Sequence, residues 1–286
     1  MPTAVLLALV TICLWSFLAY LGVRLSQVPP FLVVGIALTI SGLVGMVWIK
    51  SWKVSLLTLA VGVAGIFGYH FLYFTAFRFS PAIEANLINY LWPLLIVVLS
   101  PLYLPGYHLR PHHLVGAALG LAGASLILSG GRLHLAGTYL LGYLLMTGAA
   151  LTWASYSLLT KRLPPFPTGA VGAFCLVSGI LSLGIFALSG GFAKFPLATL
   201  TQADWMALLF TGLGPMGAAF FTWDAALKRG DPRIIGSLAY LTPLTSTLVL
   251  ATLGGRTLTW VTGIAMVLIV GGALVGSLDL FPGIKG

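Results

Sequence analysis

The chain has 286 residues, 59% of them hydrophobic and 7% charged, with a mean hydropathy of +1.06 spread over its whole length. A soluble domain carries about 25% charged residues, so a water-exposed globular fold is excluded. The formal charge of +9 comes from 14 Lys and Arg scattered through short connectors without a basic run, which argues against a nucleic-acid partner and for membrane topology.

Apolar stretches of about 20 residues, the length that crosses a bilayer core, predict an all-α integral membrane protein of ten transmembrane helices. They fall at 3–22, 31–49, 54–77, 83–104, 114–129, 137–159, 169–189, 205–227, 234–253 and 258–278. The first is not read as a signal peptide, because it lacks a basic leader and a small-residue cleavage site and is matched by the sixth span. Cys13 and Cys175 lie in separate spans and read as packing residues, so neither a disulfide nor a metal framework is indicated and no cofactor is expected.

Span 1 places Trp15 at mid-depth, away from the interfacial belt, as either a pocket wall or bundle packing. Span 3 presents Gly62, Gly65 and Gly68 as a seam for close helix contact, then Tyr69, His70 and Tyr73. Aromatic rings with polar tips beside an imidazole suit a pocket for amphipathic solutes; the alternative for the tyrosines is the interfacial belt near Arg78. His70 is the one histidine inside a predicted span, the other four being assigned to connectors, which makes it a candidate for substrate contact or proton coupling.

Span 4 opens Glu84-Ala-Asn-Leu-Ile-Asn-Tyr-Leu-Trp-Pro93, with Asn86, Asn89, Tyr90 and Pro93 on one helix face. Such a face should not touch lipid. Pro93 also frees the carbonyl of Asn89 at membrane depth, where a neighbour or cavity water must satisfy it. Pro243 does the same for Ala239 in span 9 and Pro215 for Thr211 in span 8, unless these prolines merely kink the bundle. Span 6 carries Trp153 and Tyr156 on a polar and aromatic face with Thr152. Glycines in span 5 (Gly116, Gly120, Gly123) and span 10 (Gly263, Gly272, Gly276) suit packing of equivalent helices.

Acids are few. Glu84 is either a coupling carboxylate, a partner for Arg78 or an N-terminal helix acid, whereas Asp224 reads as a structural partner of Lys228 four residues on. Asp204, Asp231 and Asp279 fall at span ends as caps or solvated charge.

The sequence repeats internally. Trp15–Arg24 aligns with Trp153–Arg162 at an offset of 138, and Tyr90-Leu-Trp-Pro-Leu with Tyr240-Leu-Thr-Pro-Leu at an offset of 150. Two five-span halves follow, 1–135 and 136–286. Because five is odd the second enters the membrane in the opposite sense, the plan of alternating-access transporters. Connector charge gives nine cations to the face of the termini (Lys50, Lys53, Arg110, Lys161, Arg162, Lys228, Arg229, Arg233, Lys285) and five to the other (Arg24, Arg78, Arg132, Lys194, Arg256), which places both termini in the cytoplasm.

The Tyr69-His-Phe-Leu-Tyr73 run, the Glu84–Pro93 run and the duplicated plan together resemble the drug/metabolite transporter superfamily, EamA-type, and within it the YddG-like aromatic amino acid exporters. The general resemblance covers the whole chain; the narrower one rests mainly on residues 67–102. It implies a ten-helix basket in a bacterial inner membrane, its cavity lined chiefly by helices 1, 3, 4, 6, 8 and 9, that exports amino acids and related metabolites. It carries the family's cavity residues onto Tyr69, His70, Tyr73, Tyr90, Trp92 and Trp153, and Trp92 joins the candidates on that ground alone. With Trp15, Asn86, Asn89 and Tyr156 these make the expected substrate site of a monomer or weak homo-oligomer. A multidrug or polyamine exporter, which would need a deep carboxylate, is the rival reading. An intramembrane enzyme lacks a Gly-x-Ser-x-Gly or His-Glu-x-x-His motif, and no catalytic residue is assigned.

Overall fold

The computed structural model describes residues 2–131, 136–255 and 258–280. Each predicted span coincides with a helix: α1 (Pro2–Arg24), α2 (Pro30–Trp52), α3 (Leu56–Ala76), α4 (Ala82–Tyr103), α5 (Pro111–Ser129), α6 (Leu140–Arg162), α7 (Thr168–Leu188), α8 (Gln202–Arg229), α9 (Pro232–Gly254) and α10 (Trp260–Gly276). Eight are long and apolar enough to cross a membrane. The other two are α10, apolar but only 17 residues long, and α6, which has 23 residues and is diluted by Thr, Ser, Tyr and Trp. Among the described residues no strand occurs. Arg132, Arg256 and Lys285, which entered the orientation tally, lie outside the described residues, as does His134.

One boundary differs from expectation in a way that matters. α5 starts at Pro111, since proline at the first helical position costs no hydrogen bond. His112 and His113 therefore sit in a helical first turn and not in a connector, and His113 is fully buried.

Four helices are interrupted at places 150 residues apart. α3 contains a π-helical turn at Ala64–Gly68 and α8 one at Gly214–Ala218, while α4 is broken at Tyr90 and α9 at Tyr240. Pro93 and Pro243 each stand third in the segment after the break, inside a first turn whose N–H groups have no helical partner. Sequence alone read these prolines as interruptions inside a continuous helix; the chain uses them as helix starts.

Two close pairs support the bundle. A Cβ placed on Gly272 would lie 2.6 Å from the Gly116 carbonyl, so α5 and α10 meet backbone to backbone; likewise a Cβ on Gly45 would lie 2.7 Å from Cα of Gly172, joining α2 to α7. In a bilayer, where lipid is as apolar as leucine, such close packing is a main source of helix association. At one end of the bundle Arg24, finishing α1, pairs with Asp204 near the start of α8 at 3.3 Å. At the other end Arg162, finishing α6, donates to the carbonyl of Tyr103, which finishes α4.

Candidate functional site

Between these helices lies a cavity of about 610 Å³, within the roughly 300–1,000 Å³ typical of small-molecule sites. It reaches the Arg24 end, where Ser26, Ala82 and Ile83 line it and Ile83 is 52% exposed. Its floor is aromatic. Trp15, from α1, lies 5.9 Å from Trp92 of α4, 5.9 Å from Trp153 of α6 and 5.1 Å from Trp223 of α8, measured between ring centroids. Each such pair contributes roughly 0.5–1.5 kcal/mol beyond the area it buries, so the four indoles form a firm partition. Below it the Arg162 end is closed by the Tyr103 hydroxyl donating to Ser155 Oγ at 2.9 Å and the Trp223 indole donating to Ser157 Oγ at 3.1 Å.

The interruptions position the wall. In α3 the π turn brings Tyr69, His70 and Tyr73 to the cavity, and His70 Nδ1 donates to the Ile66 carbonyl at 2.7 Å. A carbonyl only accepts, so Nδ1 carries the proton and Nε2 of the neutral ring is an acceptor. In α8 the turn exposes the Pro215 carbonyl, which accepts from the Trp15 indole at 3.1 Å. A π turn leaves main-chain carbonyls without their usual partner, and here an indole from the other half of the chain supplies one.

Polar tips on the wall are arranged in pairs that leave one function free. Tyr73 donates to Asn86 Oδ1 at 2.7 Å, which leaves the Asn86 amide donor free; Asn89 Nδ2 donates to the Tyr69 hydroxyl at 3.2 Å, which leaves that hydroxyl's proton free. Asn89 Oδ1 and, across the cavity, Thr242 Oγ1 are buried without a partner. Such atoms are rare in native interiors and mark places where a ligand or water atom completes the pairing. Among the described residues no Lys, Arg, Asp or Glu lines the cavity.

Nine of the ten residues expected to meet substrate stand on this wall: Trp15, Tyr69, His70, Tyr73, Asn86, Asn89, Tyr90, Trp92 and Trp153. Tyr156 does not. It is buried against the Gly65 seam, one turn beyond Trp153 toward the closed end, because sharing a helix face with a wall residue fixes its direction but not its depth. Glu84 is also off the wall; it stands in the first turn of α4 and, among the described residues, pairs with no cation. Of the three prolines, Pro215 and Pro243 line the cavity and Pro93 is buried behind it. Thr242, Ser246 and Thr247 of α9 were missed, although the repeat signalled the first: Thr242 stands 150 residues after Trp92. Phe74, Met216 and Phe220 were also missed, and nothing in their sequence context separates them from lipid-facing residues.

The remaining acids are structural. Asp224 Oδ2 is held by Lys228 at 2.7 Å and by Thr168 at 2.6 Å. Asp204 closes a capping box with Thr201, and Asp231 caps α9. Asp279, just past α10, meets Arg110 at 2.7 Å and His113 Nε2 at 3.1 Å, with His112 at 3.5 Å. Desolvation opposes ionisation of Asp279, but the His113 hydrogen bond and the charges around it outweigh this and hold the carboxyl below its ordinary range. His112, His113 and Asp279 have the spacing of metal ligands. Their tautomer does not fit: His113 Nδ1 accepts from the Arg110 main-chain N–H at 3.1 Å, so Nε2 carries the proton and points it at Asp279.

The model of the EamA-like transporter family matches this chain twice, over residues 2–129 and 140–278. The chain is 40% identical to the aromatic amino acid exporter YddG of Ancylobacter novellus, over 96% of this chain and 97% of that protein. It is 25% identical to a probable amino-acid metabolite efflux pump of Salmonella typhimurium, over 94% and 93%. A crystal structure 38% identical in sequence superposes with a TM-score of 0.91 over the full length of both chains.

Proposed function

The chain belongs to the EamA-like transporter family, and from that premise we propose that it exports net-neutral amino acids, aromatic ones among them, by alternating access through the central cavity. The observation that carries this is the wall itself: aromatic rings and amides around about 610 Å³, with no charged side chain among the described residues. A substrate with net charge would enter without a partner, at a cost of several kcal/mol at membrane depth. A zwitterion brings its own compensation. Its ammonium finds acceptors in Asn89 Oδ1 and His70 Nε2, its carboxylate finds donors in the Asn86 amide and the Tyr69 hydroxyl, and its side chain lies against Trp153 and Trp92. That Glu84 does not line the cavity weighs against a polyamine.

The ten helices act in this reading as ten membrane crossings in two halves, 1–135 and 136–286, of opposite sense. The twofold family match and the interruptions 150 residues apart support it. Cations gather at the closed end (Arg110, Lys161, Arg162, Lys228, Arg229 and Arg233), which supports cytoplasmic termini, a bacterial inner membrane and a cavity open to the outside. The protein works as a monomer or weak homo-oligomer, without cofactor. Uptake into proteoliposomes over the twenty amino acids, with and without a pH gradient and with spermidine as competitor, tests the proposal. Competition confined to neutral amino acids is expected, and transport of spermidine in preference to them overturns it.

A further inference from the structure

The hydroxyl of Tyr240, in the break of α9, stands inside the hydrogen-bond ladder of α4: it accepts from the main-chain N–H of Leu94 at 3.1 Å and donates to the carbonyl of Tyr90 at 3.2 Å. Leu94 N–H and Tyr90 C=O are four residues apart and would bond to each other in an unbroken helix. A side chain inserted at that point is a recognised cause of a helix kink. Asn89, Tyr90 and Trp92, all on the cavity wall, flank the kink. Tyr240 is fully buried, its ring packed against Gly120 of α5, whose missing side chain makes the room.

Tyr240 and Tyr90 are equivalent positions of the repeat, yet they do different things. Tyr90 lines the cavity, and among the described residues its hydroxyl makes no hydrogen bond. The backbone interruptions of the two halves match at an offset of 150, but the side-chain insertion occurs only once. A protein built of two like halves of opposite sense reaches its opposite-facing state when the halves exchange conformations. We propose that Tyr240 and Tyr90 are reciprocal positioning residues: Tyr240 inserts into α4 and holds its wall segment in the cavity-open state described here, and in the opposite-facing state Tyr90 inserts into α9 between the Tyr240 carbonyl and the Leu244 N–H. The inference rests on the transport reading above and assigns its conformational switch to one pair of phenols.

The test uses the full-length protein in proteoliposomes, with Cys13→Ser to remove the exposed thiol, Cys175 left buried, and Ala19→Cys as reporter on the cavity wall. The initial rate of labelling by a water-soluble maleimide reads how often the cavity is open. Tyr240→Phe removes the bridge and lowers that rate at least threefold; Tyr90→Phe leaves it at or above the parental value, and adding Tyr90→Phe to Tyr240→Phe brings it back to within twofold. A merely structural role lowers it in both single variants. That result, or an unchanged rate in Tyr240→Phe, overturns the proposal. If Tyr240→Phe is not recovered folded, Tyr90→Phe decides alone: slowed transport with labelling at or above the parental rate supports the pairing, and any other combination overturns it. Labelling does not depend on the solute, so failure of the parental protein to move amino acids would sink the transport reading and leave the conformational result legible.

Discussion

The guanidinium of Arg162 donates to the main-chain carbonyl of Tyr103 at 3.1 Å, so the last residue of α6 caps the last residue of α4 and ties one half of the chain to the other at the closed end. A cation at a helix C-terminus meets both the unpaired carbonyls and the negative end of the dipole. With the Tyr103–Ser155 hydrogen bond it forms a polar latch beneath the indole floor.

Loosening that latch should favour opening of the closed end. Arg162→Gln and Tyr103→Phe each remove a bond worth about 0.5–1.5 kcal/mol, which corresponds to a roughly two- to tenfold change in the open population. Labelling of Thr160→Cys, buried in the last turn of α6, should rise by that factor in a Cys13→Ser background. An unchanged rate would place the seal elsewhere.

Trp153 packs against Tyr69 at 5.3 Å and Trp15 at 5.9 Å while facing the cavity. Trp153→Ala should therefore raise KM for aromatic amino acids at least about tenfold, as expected for loss of about 1.5 kcal/mol of ring contact. Trp153→Phe, which keeps a ring, should stay within about threefold. Equal KM values for alanine, phenylalanine and wild type in vesicle uptake would remove Trp153 from the site.

His70 makes its main-chain bond through Nδ1. Asparagine presents an amide donor at nearly the same distance from the backbone, so His70→Asn should fold and keep more transport than His70→Ala, which removes a bond worth about 0.5–1.5 kcal/mol that the Ile66 carbonyl accepts in addition to the Tyr69 main-chain N–H. Comparison of melting temperatures and uptake rates checks this. Equal loss in the two variants would mean that Nε2, which asparagine does not supply, is the group that counts.

Asp279 ties the segment after α10 to the start of α5. Its carboxyl titrates lower in the folded protein than its ordinary value of 3.8, so the stabilisation is complete above that value and is lost as pH falls through the folded one. Asp279→Asn should lower the melting temperature by roughly 1–3 °C at pH 7, the scale of a partly exposed ion pair. The difference should fade only below the ordinary carboxylate range. Since the His113 tautomer disfavours metal binding, a chelator should leave the melting temperature where it is; a drop with chelator would reverse that reading.

Hydropathy, periodicity and an internal match of 138 or 150 residues made much of this protein readable without coordinates. Span lengths follow from the thickness of a bilayer. Eight of the nine expected residues that stand on the wall follow from the cost of turning Asn, Tyr, Trp and His toward lipid, and the ninth, Trp92, came from the family resemblance. What helical periodicity carries is direction around an axis. Depth along the axis depends on where neighbouring helices cross, and this is why Tyr156 fell below the floor although it shares a face with Trp153. The π turn of α3 has no proline to announce it, and Phe74, Met216 and Phe220 look like any apolar residues until α3 and α8 bring them to one space. Equal halves also look equivalent in sequence. Only packing decides that Tyr240 enters the ladder of α4 while Tyr90 stays on the cavity wall, because the room that Gly120 of α5 leaves for the ring of Tyr240 exists only once the helices have met.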